Sequence, residues 1–79
     1  MAKKQQLIDR VKKLHKEKGS ISLNGMFVPM GKGGTGLMIE LDKICVDDGD
    51  LGAMCSGGRW FIPLDELTYR ELEKIIKMY

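Results

Sequence analysis

The feature that most constrains the fold is a pair of tight-turn signals within residues 44–62, ICVDDGDLGAMCSGGRWFI. Asp48-Gly49 and Gly57-Gly58 are both typical of two-residue β-hairpin turns, because Gly adopts positive φ at little steric cost. The two turns join three short apolar stretches. They therefore predict a three-stranded antiparallel meander.

The two predicted turns set registers that agree about the inward face of the sheet. Side chains alternate between the two faces of a strand, so a one-residue slip at either turn would move half of the inward residues to the other face. The first turn also sets Asp42 opposite Cys55. The side chains that share the inward face, and that we expect to be buried, are Ile44, Val46, Leu51, Ala53, Cys55, Trp60 and Ile62.

In the strand that leads into the meander, the inward residues change from odd-numbered to even-numbered positions. Leu37, Ile39 and Leu41 alternate as inward residues, whereas the inward residues of the meander that follow are even-numbered. One extra residue in the strand would reconcile the two patterns. We therefore predict a bulge or bend near Asp42-Lys43.

Residues 20–30 predict a further, interrupted strand. Asn24-Gly25 indicates a turn or bulge within it, and Pro29, which has no amide donor, favours a sheet edge or a strand end. The sequence GKGGTG (31–36) then predicts a loop to the next strand.

An amphipathic helix is predicted over residues 3–18, with Gly19 as its stop. Its apolar positions fall on one stripe: Leu7, Ile8, Val11 and Leu14.

A second helix is predicted to begin at Tyr69, because Thr68 and Glu71 have the spacing of a capping box. Residues 64–66 then form a short turn, which one turn of 3₁₀ helix would satisfy. The apolar stripe of this helix is Leu72, Ile75, Ile76 and Tyr79.

These elements predict a single small α+β domain over residues 1–79, with the order αββββα. The expected architecture has two layers: an antiparallel meander sheet of three to four strands, with the N- and C-terminal helices packed on one face.

The composition of the chain indicates the class of protein and the compartment in which we expect it. Hydrophobic residues make up 43% of the chain and charged residues 30%, which is ordinary for a globular protein. The sequence has no long apolar run and no secretory signal pattern at its start, so we expect a cytoplasmic protein without a membrane span. Cys45 and Cys55 fall on opposite faces of the predicted sheet, which favours two reduced thiols, with Cys55 the more buried.

The candidate phosphate-binding, calcium-binding and catalytic motifs lack the residue spacing that these sites require. The stretch 31–36 resembles a phosphate loop in glycine content, but it lacks Gly-Lys-Ser/Thr before a helix. Residues 47–50 lack the twelve-residue spacing of an EF-hand, and His15 has no partner at a catalytic spacing. We therefore predict no catalytic residue, no cofactor and no metal site, and hence no enzyme.

The outward face of the sheet supplies the leading functional hypothesis. Met54 and Phe61 are opposite each other in the predicted register, and Met38 points the same way. With both helices covering the other face, this surface is large enough to favour a protein partner or a second copy of the chain. The alternative is that loop 29–36, or the stem of a lysine, covers the surface.

The first helix supplies the second hypothesis, nucleic-acid binding. Residues 1–19 carry seven Lys or Arg against two acids, whereas the remainder carries six against nine. Lys12, Lys13 and Lys16 are the candidate phosphate contacts, and such contacts would act without base specificity. A merely solvated helix face is the alternative.

Overall fold

A computed structural model describes residues 2–29, 38–55, 57 and 60–79. The predicted loop 31–36 and Gly58 of the second predicted turn lie outside the described residues. In chain order the elements are α1 (Ala2–Lys18), β1 (Ile21–Pro29), β2 (Met38–Asp47), β3 (Asp50–Cys55), β4 (Phe61–Pro63), a 3₁₀ turn (Leu64–Glu66) and α2 (Tyr69–Lys77). The four strands form one antiparallel sheet in the order β1-β2-β3-β4. The predicted αββββα order is therefore confirmed.

The core lies between the two helices and one face of the sheet. Ile8 and Val11 of α1 and Leu72 and Ile75 of α2 are buried, whereas Leu7, Leu14 and Ile76 of the predicted stripes are only partly buried against them. From the sheet and the segment that follows it, the buried apolar residues are Ile21, Leu23, Val28, Leu41, Ile44, Ala53, Cys55, Ile62, Leu64 and Leu67.

The turn between β2 and β3 has the predicted register. Asp48 and Gly49 both adopt positive φ, 50° and 87°, as a type I′ turn requires. Val46 pairs with Leu51, two residues from the turn. Val46 is nevertheless 57% exposed, so its predicted burial is wrong: it lies near the end of the hairpin, where α1 leaves a groove over the sheet.

The predicted bulge in β2 is confirmed. The β2–β3 register shifts by one residue between Leu41 and Lys43. Leu41 rather than Asp42 therefore lies opposite Cys55, which corrects the predicted pairing. The extra residue lets Leu41 and Ile44 both point into the core although they are three residues apart.

The β3–β4 pairing also has the predicted register, but the predicted burial of Trp60 is wrong. The Cys55 amide donates to the Trp60 carbonyl at 2.9 Å, and Met54 pairs with Phe61. The Trp60 side chain is 59% exposed. The residue precedes the first residue of an edge strand, where alternation no longer fixes the side-chain direction and neighbours lie on one side only.

Helix α2 begins as predicted. The Glu71 amide donates to Thr68 Oγ1 at 3.2 Å, and the Thr68 amide donates to Glu71 Oε1 at 2.7 Å, which completes the capping box. Tyr79, predicted in the buried stripe, is instead 46% exposed. Its hydroxyl donates to the Ser22 carbonyl on β1. In the described part of the chain, neither helix combines the length and the apolar character needed to cross a membrane.

Candidate functional site

The sheet face opposite the helices is called the outer face, and it carries a set of apolar side chains. Strand parity and pairing place Phe27, Met38, Cys45, Met54 and Phe61 on it. Met38 is 63% exposed and Phe27 54% exposed, whereas the other three are partly buried. The predicted residues Met38, Met54 and Phe61 thus share one face.

Phe61 is partly buried because its ring lies over a glycine. A Cβ at Gly52 would lie 2.7 Å from Phe61 Cζ and 2.4 Å from the Ile62 carbonyl oxygen. The neighbouring strand therefore approaches Gly52 more closely than any side chain would allow. The ring fills the place of the missing side chain, an arrangement that protects glycine in sheets. Together with Met54, the ring forms an apolar surface on the outer face.

Two charged side chains of β2 interrupt this apolar surface. Glu40 and Lys43 are exposed, and both project from the outer face. Residues three apart on a regular strand point to opposite faces, so their common direction is a consequence of the bulge at Asp42. A Cβ at Gly25 would lie 2.9 Å from Glu40 Oε1, which shows that the carboxylate rests beside β1.

The thiols of Cys45 and Cys55 are free. Burial raises the pKa of each thiol above its ordinary value of 9.0, with Asp42 adding to the effect at Cys55 and Lys43 partly offsetting it at Cys45. A raised thiol pKa lowers the thiolate population at neutral pH, and the thiolate is the reactive form. The thiol of Cys45 on the outer face is therefore less reactive at neutral pH than that of an unperturbed cysteine.

Searches of protein families, of curated proteins and of solved structures find no match to this chain.

The edges of the sheet offer poor templates for strand addition. On β1 the register shifts between Ser22 and Met26, where Asn24 and Gly25 adopt positive φ, so the predicted interruption of this strand is confirmed. The Tyr79 hydroxyl donates a hydrogen bond to the Ser22 carbonyl of β1. At the other edge, β4 has only three residues. Bulges and short strands are usual protections of sheet edges, so the outer face is more accessible than either edge of the sheet.

The predicted phosphate contacts of α1 are exposed but are not gathered into one cavity. Lys12, Lys13 and Lys16 all face solvent. Lys12 lines a groove beside the β2–β3 hairpin, whereas Lys13 lines a smaller groove against α2. A different lysine, Lys4, donates to the Asp65 carbonyl at 2.8 Å and so serves the fold.

Sequence reasoning missed the groove between α1 and the β2–β3 hairpin. It encloses about 800 Å³. Its apolar lining includes Ile8, Val46, Leu51 and Leu64, and its charged lining includes Lys12, Asp50, Asp65 and Glu66. His15 also lines this groove. Within the described residues, no three His, Cys, Asp or Glu side chains gather in a way that would hold a metal ion.

The pattern of inward residues gave no signal for this groove. Alternation states which face a side chain takes, but it does not state how far α1 extends over that face.

Proposed function

We propose that this chain is a small, non-enzymatic protein-interaction domain that binds a protein partner, either a different protein or a second copy of the chain, through the outer face. The observation that carries the proposal is the exposure of Met38 and Phe27 beside the Met54–Phe61 pair. The helices are both committed to the opposite face. Exposed apolar surface of this extent favours association, since its removal from water contributes roughly 25 cal/mol per Å².

The size of the outer face supports a weak rather than a permanent contact. Four strands spaced about 4.8 Å apart, with about six residues each, cover roughly 400 Å². Standard interfaces bury about 800 Å² on each partner. The outer face therefore offers roughly half of the standard area per partner, and an accessory role with reversible binding fits this smaller area.

The test is the self-association of variants that place a charge on the outer face. Sedimentation equilibrium measures the mass against the 8.9 kDa of one chain. We expect Phe61→Asp and Met38→Asp to weaken association without loss of fold, which circular dichroism checks. Since Phe61 also packs on Gly52, Met38→Asp is the cleaner variant.

The matched control is Val46→Asp, because Val46 is as exposed as Phe27 but lies on the helix side of the sheet. It should leave association unchanged. A wild-type chain that stays monomeric at millimolar concentration, and that captures no protein partner through this face, contradicts the proposal.

A second candidate function, nucleic-acid binding through α1, is favoured by the exposure of Lys12, Lys13 and Lys16. Affinity for a duplex should then fall steeply with salt, because each neutralised phosphate releases counterions. Reversing the three lysines to Glu should abolish binding, whereas reversing Lys74 and Lys77 of α2 should not. A flat salt response removes this candidate.

We further propose a cytoplasmic location. Two free thiols on opposite faces of the sheet are consistent with a reducing compartment, where cysteines are seldom paired.

A further inference from the structure

The bulge in β2 gives the outer face a charge pattern that is complementary to itself. Glu40 and Lys43 both project from this face, roughly 7 Å apart along the strand, because the register shift between Leu41 and Lys43 makes two residues of β2 occupy one pairing position. Both side chains are exposed. β2 is an inner strand of the sheet, so the pair lies within the face rather than at its rim.

We infer that the partner of the outer face is a second copy of this chain, related by a two-fold axis that crosses β2 between Glu40 and Lys43. The inference rests on the proposed function and names its partner. An axis that lies in the interface and runs perpendicular to β2 reverses the direction of the strand. Glu40 of each copy then lies opposite Lys43 of the other, and two equivalent ion pairs form.

Charge favours this axis over a two-fold axis parallel to the strands, which would also stack the sheets. An axis parallel to the strands would superimpose the two β2–β3 hairpin ends. Asp47, Asp48 and Asp50 are all exposed at that end, so acid would meet acid across the interface. The perpendicular axis carries the two hairpin ends to opposite ends of the dimer, where they do not meet.

The apolar side chains flank the exchanged charges. Met54 lies directly across from Lys43 and next to Phe61, whereas Phe27 lies across from Glu40. Stacked sheets are separated by about 10 Å, a gap that a glutamate and a lysine from facing copies span together. The ion pairs set the orientation of the two copies, and the apolar residues supply most of the free energy.

The protected sheet edges disfavour strand addition, the main alternative form of self-association. A dimer formed by strand addition would have to displace Tyr79 from Ser22 and pair with the bulged segment of β1. Stacking through the outer face leaves both edges untouched.

The experiment exchanges charges across the predicted contact. Glu40→Lys alone places like charges at both contacts of a dimer, and so does Lys43→Glu alone. Sedimentation should show each variant at least about tenfold weaker in self-association than the wild type. An equimolar mixture of the two should form a heterodimer close to wild-type affinity, because each contact again joins opposite charges. The double variant Glu40→Lys with Lys43→Glu should also dimerise.

The matched controls are Glu17→Lys and Lys18→Glu, at exposed positions of α1. They make the same changes of net charge away from the outer face and should have no effect on self-association.

The outcomes separate this inference from the proposed function. If Met38→Asp weakens association but the single charge reversals do not, the outer face is the interface and the two-fold arrangement is wrong. If the mixture fails to recover while each single variant is impaired, the arrangement is also wrong. A wild-type chain that is monomeric at millimolar concentration but binds a different protein through the outer face overturns the second copy as partner and leaves the proposed function standing.

Discussion

Substitution of Gly52 by alanine tests how closely β4 approaches β3. The added Cβ would stand 2.4 Å from the Ile62 carbonyl oxygen, 2.9 Å from the Ile62 carbonyl carbon and 2.7 Å from Phe61 Cζ. Two of these atoms belong to the backbone and cannot rotate away, so β4 itself must move.

The sign of the effect distinguishes this contact from ordinary strand propensity. Gly52 does not need positive φ, and alanine in an unobstructed strand would be more stable than glycine by roughly 0.5–1 kcal/mol. Overpacking of a tight site typically costs about 1–3 kcal/mol. We therefore expect Gly52→Ala to lower the free energy of unfolding by about 1–3 kcal/mol, a large share of the 5–15 kcal/mol typical of a domain.

Urea denaturation followed by circular dichroism measures this loss. A second variant, Gly52→Ala with Phe61→Ala, separates the two contacts. Removing the ring should not restore stability, because the contact with the Ile62 carbonyl remains. Equal or greater stability of Gly52→Ala would refute the close approach of β4.

Three further outcomes follow from the described packing. Thr68→Ala should lower the free energy of unfolding by about 1 kcal/mol, because it removes the N-cap of α2; an unchanged urea midpoint would mean that this cap does not hold the helix. Trp60→Ala should cost less than about 1 kcal/mol, as exposed positions do, whereas Leu72→Ala should cost about 2–5 kcal/mol; equal losses in thermal unfolding would contradict the exposure of the indole. Because burial raises the pKa of Cys45 and Cys55 above 9.0 in the folded state, their contribution to stability is complete below that pH and is lost as the pH rises through the folded pKa. The wild-type urea midpoint should therefore fall more between pH 8 and pH 10 than that of a variant with both cysteines replaced by alanine.

Most of the fold could be predicted from the turn residues and from the alternation of inward side chains along the strands. Asp48-Gly49 determined one register, and the change from odd to even inward residues located the bulge before Lys43. The capping box at Thr68 located the start of α2. Each of these signals depends on neighbours in the chain, which is why a sequence alone reveals it.

Burial at the ends of strands could not be predicted in the same way. Trp60 and Val46 have the inward parity of the core, yet both are more than half exposed. Parity follows from the pleat of one strand, whereas burial depends on how far the helices extend across the sheet. The same limit applies to the outer face: the sequence placed Met54 opposite Phe61, but the ring's position over Gly52 depends on a non-local contact.

The packing of α1 against α2 has a consequence for the order of events during synthesis. The apolar stripe of α1 is made early, but its helical partner follows only after the entire sheet has been made. Until then Ile8 and Val11 have no α2 to pack against, and a single amphipathic helix is marginal in water. Native packing of the core must therefore wait until α2 has emerged from the ribosome.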